Sequence, residues 1–204
     1  MRIAAMLTKY CENKGYITQE QNPWLQYTIE KHLSIILLFP PLFILGGRIA
    51  SPVASFVFLA SFLFLRNRTN GIHAKTVFGC FCSSMVSELV ILGLLFHILT
   101  LRIALSIMTL SSIVIFTMSP FNHPLMHLSP EEVSACAMSA KLRLFLLDSM
   151  TVGAYLLGYM EIGHSIVLGT ALTATTLAGA NIFNRGKNNE RTADSCRKGH
   201  QKSD

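Results

Sequence analysis

Apolar residues in this chain gather into long unbroken runs instead of recurring every third or fourth position. From Leu33 to Leu65 the polar side chains are Ser34, Ser51, Ser55, Ser61 and Arg48. One helix over that stretch would measure ~50 Å, too long for a hydrocarbon core of ~30 Å. Gly46-Gly47-Arg48 and Ser51-Pro52 supply a break, so the pattern predicts two short spans, 33–47 and 50–65, with Pro40-Pro41 kinking the first. Further spans are predicted at 78–99, 103–118, 142–160 and 162–183, separated by Thr100-Leu101-Arg102, by a polar loop at 119–141 and by Glu161. Ahead of them, Ile3, Met6, Leu7 and Tyr10 recur at a helical spacing. They predict an amphipathic cytoplasmic helix that lies on the membrane or docks on the core. Trp24, Tyr27, Lys31 and His32 read as interface anchors.

Composition agrees with a membrane class. Charged residues make up 14% of the chain, against roughly 25% in soluble domains. The expected architecture is all-α and polytopic: a segment 1–32, a six-helix transmembrane domain 33–183 with cytoplasmic loops 66–77 and 119–141, and a basic tail 184–204 expected to be disordered or to lie on anionic headgroups. The polar start does not resemble a secretory signal. Five cysteines (Cys11, Cys80, Cys82, Cys136, Cys196) form an odd set without disulfide-framework spacing and read as free thiols.

Charge decides the orientation. With the N-terminus in the cytoplasm and six spans, every Lys and Arg except Arg48 and Arg102 falls inside. Reading 33–65 as one span would flip every later loop and strand the cations of 66–77, 119–141 and the tail outside. Six spans are therefore expected, with both termini and both long loops cytoplasmic.

The loop between the second and third spans holds the candidate chemistry. His73 and Cys80 are the minimum for thiol catalysis: the imidazole takes the thiol proton and the thiolate attacks a carbonyl. Cys80 at a helix N-terminus, near Lys75, Arg66 and Arg68, suits a thiolate. Seven residues of straight helix would leave the pair ~10 Å apart, beyond proton-transfer reach. Cooperation requires a fold-back, for which Gly71 and Gly79 offer freedom. Packing or snorkelling roles for both residues remain open on spacing alone. A metal site of His73, Cys80 and Cys82 would have three local ligands, two of them on different helix faces.

Other marked residues have structural and functional readings side by side. Glu88 and Asp148 are carboxylates within spans; each serves a site, or an ion pair or wet cleft, with Arg143 or Lys141 as partners for Asp148. Ser83 and Ser84 either donate to an oxyanion or mediate helix contacts. Cys82 reads as packing. His123 and His127 lack a third ligand, and neighbouring prolines oppose a shared helix face, so no metal and no cofactor is expected.

Gly71-Ile72-His73-Ala74 followed by Cys80 resembles the G-x-H-A-x5-C signature of the accessory gene regulator protein B family, bacterial membrane cysteine endopeptidases of peptide quorum sensing. Ser119-Pro120-Phe121-Asn122-His123-Pro124-Leu125, then Ser129-Pro130-Glu131-Glu132 and Lys141, is similar to that family's Pro/His/Pro loop. The resemblance covers roughly residues 1–185. It implies Cys80 as nucleophile and His73 as general base, with Glu88, Ser84, Asp148 and Lys75 as candidate supports. It also implies a bacterial cell-membrane location and an AgrD-like pro-peptide substrate, cleaved to a thioester and cyclised to a thiolactone or lactone. Partners expected are that pro-peptide, the lipid bilayer and a second copy in a homodimer, with no nucleic acid. The alternative is a small transporter of a peptide or other solute, using Glu88 and Asp148 along a path; no internal repeat of the transporter kind is present.

Overall fold

The computed structural model describes residues 2–18, 22–69, 77–119 and 130–200, and among them every regular element is a helix. In chain order these are α1 (Arg2–Asn13), α2 (Asn22–Ile49), α3 (Pro52–Thr69), α4 (Val77–Val90), a π-turn (Ile91–Leu95), α5 (Phe96–Ile98), α6 (Leu101–Met118), α7 (Pro130–Leu156) and α8 (Met160–His200). Three stretches are long and apolar enough to cross a membrane: Thr28–Ile49, Leu101–Met118 and Met160–Ile182. Cys82–Ile98 is a shorter apolar stretch.

The break predicted between Gly46 and Pro52 is present as the two-residue link Ala50-Ser51. Pro52 opens α3, where its missing N–H costs nothing. Ser51 Oγ accepts from the Ala54 N–H at 3.0 Å and so caps the helix. The α7–α8 turn closes with Gly158 at φ +81°, Tyr159 N–H bonding Ala154 O at 2.8 Å and Gly158 N–H bonding Tyr155 O. Only glycine takes that left-handed position cheaply. Gly15 ends α1 in the same way, at φ +74°.

Several boundaries depart from expectation. α2 begins at Asn22, eleven residues before the predicted span, and continues as helix through Pro40-Pro41. α7 begins at Pro130, so residues 130–141 of the expected loop are helical. Proline in the first turn followed by Glu131 and Glu132 is a helix-start pattern. α8 runs on to His200, through the tail from Asn184 that was expected to be disordered or to lie on anionic headgroups; no proline interrupts it. In α1 the small residues Ala4 and Thr8 are buried while Met6, Leu7 and Tyr10 are exposed. The apolar stripe of α1 is thus turned away from α2, on which the helix packs.

α3 is the central helix. Its buried residues Ala54, Ser55, Phe58, Leu59, Ser61, Leu65 and Thr69 form a lengthwise face that meets α2, α7 and α8. Gly169 of α8 lets the two backbones meet: a side-chain carbon there would come within 2.8 Å of Phe58 O. Close approach at a glycine is how helices associate in lipid, where burial alone gives no driving force. Two apolar layers result. One joins Leu38, Leu42, Phe58, Leu92, Leu99 and Leu168; the other joins Leu65, Ile115, Leu144, Leu147, Ile166 and Leu177.

Candidate functional site

Contacts between helices fix which ends lie together. Arg143, in the first half of α7, bonds Phe64 O near the end of α3, and Lys141 lies over the Phe116 ring near the end of α6. α4 starts at the same end, because the π-turn that continues it packs, at Leu92, with Phe58 and Leu99. The described residues that flank the two sequence motifs, at the ends of α3 and α6 and the starts of α4 and α7, thus lie at one end of the bundle.

Cys80 is the fourth residue of α4. That position lies in the first turn, where backbone N–H groups lack intrahelical acceptors and the helix favours negative charge. His73 and Lys75 lie outside the described residues, as do His123 and most of the Pro/His/Pro loop. α4 takes in Val77–Gly79, so Gly79 sits in helix and supplies no loop freedom. Any return of an imidazole toward Cys80 falls to the chain before Val77. Of the residues near Cys80 on α4, Ser83 is exposed, Ser84 half-buried and Cys82 exposed, so Cys82 is not the packing residue expected.

Cations gather at this end. Arg66 and Arg68 occupy the last turn of α3, with Arg66 over the Phe62 ring at 5.2 Å. From α7, Arg143 donates to Phe64 O at 2.6 Å and lies over the Phe64 ring at 4.6 Å. Lys141 stands 4.3 Å over the Phe116 ring. Both cations thus find backbone and aromatic partners on neighbouring helices, and neither pairs with Asp148 as expected. Asp148 instead accepts a hydrogen bond from Ser112 Oγ at 2.9 Å, joining α7 to α6.

Glu88 lies deeper on α4 and is 1% exposed. Neither carboxyl oxygen has a hydrogen-bond partner. It faces Gly46 of α2 and Ser55 of α3, and among the described residues no cation pairs with it. The two helix-borne acids are not brought together: Leu92, one turn beyond Glu88, belongs to one apolar layer, and Leu144 and Leu147, beside Asp148, belong to the other. Sequence reasoning did not find the partnership of Glu88 with Gly46. A glycine in an apolar run is a signal for close approach, but it does not name the neighbour.

Among the described residues no group of three or more His, Cys, Asp or Glu is placed to hold a metal ion. A family model described as Accessory gene regulator B matches residues 2–177. Neither a curated protein nor a solved structure matches the chain.

Proposed function

From membership in the accessory gene regulator B family, to which this chain belongs, we propose that it is a membrane cysteine endopeptidase that trims and cyclises a quorum-sensing pro-peptide. The family is one of accessory-gene-regulator peptide processing in quorum sensing. The finer chemistry is our reading, and the observation that carries it is the family match together with Cys80 in the first turn of α4. The bilayer location and six-span topology, with Cys80 on the cytoplasmic side, are part of the same reading.

In this mechanism His73 takes the Cys80 proton, and the thiolate attacks the carbonyl at the C-terminal side of the pro-peptide's signal segment. The tetrahedral oxyanion collapses, the C–N bond breaks, and His73 returns its proton to the leaving amine. The tail departs and the remainder stays on Cys80 as a thioester. A side-chain thiol or hydroxyl of the bound peptide then gives its proton to His73 and attacks the thioester. The ring closes and the Cys80 thiolate leaves, to be reprotonated from His73. A thioester retains the acyl-transfer potential that hydrolysis would discard, and a site short of water favours the intramolecular attack. Cations of Arg66, Arg68, Lys141 and Arg143 at this end raise the local positive potential and favour the thiolate.

The test is reconstitution in liposomes with the candidate pro-peptide, with products followed by mass spectrometry. Wild type releases a C-terminal tail and a ring one water lighter than the linear peptide. Cys80→Ala and His73→Ala release neither, and Cys82→Ala retains both. Cleavage by Cys80→Ala sinks the proposal, and a dead Cys82→Ala moves the nucleophile.

A further inference from the structure

The Glu88 side chain takes no part in that mechanism, and its surroundings are unusual. Its carboxyl and Ser55 Oγ converge on the bare face of Gly46. A side chain added to Gly46 would meet Ser55 Oγ, come within 2.5 Å of Glu88 Oε1 and within 2.9 Å of Leu92 Cδ1. Ser55 is fully buried, and its hydroxyl donates to Phe43 O of α2 at 3.2 Å. What Ser55 turns toward Glu88 is therefore lone pairs. A carboxylate is likewise acceptor-only. Acceptor oxygens thus stand together at the junction of α2, α3 and α4, with no donor bonded to Glu88.

A bare anion in such surroundings costs several kcal/mol, so it is found with a cation or not at all. Among the described residues no side chain supplies one. The other charged groups of the three helices are elsewhere in the chain: Glu30, Lys31 and His32 in the early turns of α2, Arg48 exposed at its end, Arg66 and Arg68 in the last turn of α3. On α4, Cys82 is exposed. The crowding around Gly46 also limits the guest. Calcium wants about six to eight oxygen ligands and magnesium an octahedron with several waters retained, and neither shell fits against Gly46 and Leu92.

We propose that Glu88 and Ser55 form a buried site for one small monovalent cation, a proton or a sodium ion, taken up where α2, α3 and α4 meet. The helix has a defect close by, since the π-turn Ile91–Leu95 begins three residues beyond Glu88. π-turns interrupt the regular carbonyl ladder and recur at functional sites. The proposal is independent of the peptidase reading, because nothing in the processing steps passes through Glu88.

The experiment uses the full chain in liposomes and dicyclohexylcarbodiimide, an apolar reagent that adds whole across the O–H of a membrane-buried carboxylic acid to give a stable N-acylurea. Labelling is read by mass spectrometry of the Glu88 peptide, in sodium-free choline buffer and with added sodium chloride, across a range of pH. The expected result is an adduct at Glu88 that is absent in Glu88→Gln and declines as pH rises. If sodium is the resident cation, sodium chloride suppresses the adduct. Ser55→Ala then raises the sodium concentration needed about tenfold, the effect of one lost oxygen contact to a charged group. If the proton is resident, sodium has no effect and pH alone governs the adduct. Absence of any Glu88 adduct in sodium-free buffer at every pH overturns the proposal, as does an equal adduct at every pH with sodium also without effect. Peptide processing is assayed on the same preparations, so a failed site and a failed peptidase reading are told apart.

Discussion

Gly169 and Gly153 make a matched pair for testing where packing depends on the absence of a side chain. Both sit inside helices, but a carbon added at Gly169 would meet Phe58 O at 2.8 Å and Ser61 Cβ at 3.1 Å, whereas Gly153 has nothing within 4 Å. Gly169→Val should therefore push α8 from α3 and cost about 1–3 kcal/mol, the usual penalty of overpacking. Gly153→Ala should be neutral or stabilising by up to about 1 kcal/mol, since alanine is the better helix former. Unfolding in detergent, followed by circular dichroism, distinguishes them; equal effects would mean that the α3–α8 contact is looser than described. At this scale the sequence was informative about chemistry and silent about partners. His73, Cys80, Glu88 and Asp148 stand out by type, because reactive or charged side chains are rare in apolar runs. What each one touches depends on helix rotation. That is why Asp148 was expected on Arg143 or Lys141, two of its neighbours in sequence, and is found on Ser112 of another helix.

Between elements, the polar contacts act as cross-links of modest strength. Ser112→Ala removes the α6–α7 hydrogen bond to Asp148. Such interhelical bonds average about 0.6 kcal/mol in membrane proteins, so a small loss of thermal stability is expected with peptide processing unchanged. A large loss of processing would instead place Asp148 in the site and revive a path along the two acids. Arg143→Ala should do more, since it removes both the bond to Phe64 O and the stacking on Phe64. Limited proteolysis should then cut the start of α7 faster than in wild type. Element ends were legible wherever the chain spells them out. Ser51-Pro52 marks a turn by backbone chemistry alone, whereas the turn at Gly158 lay inside the expected span 142–160, with the break placed at Glu161 instead. The start of α7 was missed because Ser129-Pro130-Glu131-Glu132 was weighed as part of a loop motif, although the same residues spell a helix start. The early start of α2 was missed for another reason. Hydrophobicity locates the part of a helix that meets lipid, and Asn22–His32 is helix without being apolar.

For the molecule as a whole, the proposed orientation rests on counting cations, and it can be tested directly. Cysteines introduced at Ser51 and Tyr159 should react with a membrane-impermeant maleimide added to intact cells, in a background lacking the native thiols. One introduced at Asn67 should react only after the membrane is opened. The reverse pattern would invert the topology and place Cys80 outside. The all-helical class was legible at this scale because apolar runs of spanning length leave few alternatives. The relative placement of the helix ends that flank the two motifs was not, since it depends on contacts between helices far apart in sequence, such as Arg143 on Phe64 and Lys141 on Phe116.

The links between helices differ sharply from one end to the other. Ala50-Ser51, Leu99-Thr100 and Leu157–Tyr159 join successive helices, and Ile49, Ala50, Leu99 and Tyr155 belong to one packed layer. Ser51 also donates to Glu161 at the start of α8, fastening two of these links to each other. At the Cys80 end more residues separate successive helices: Thr69 ends α3 and Val77 opens α4, Met118 ends α6 and Pro130 opens α7. The bundle is thus riveted at one end like a pair of shears. Under the function proposed above, a bundle that widens to admit a peptide would part its blades at the Cys80 end while the rivet holds, and a cyclised product would leave by the mouth through which its precursor entered unless Ser51 first let go of Glu161.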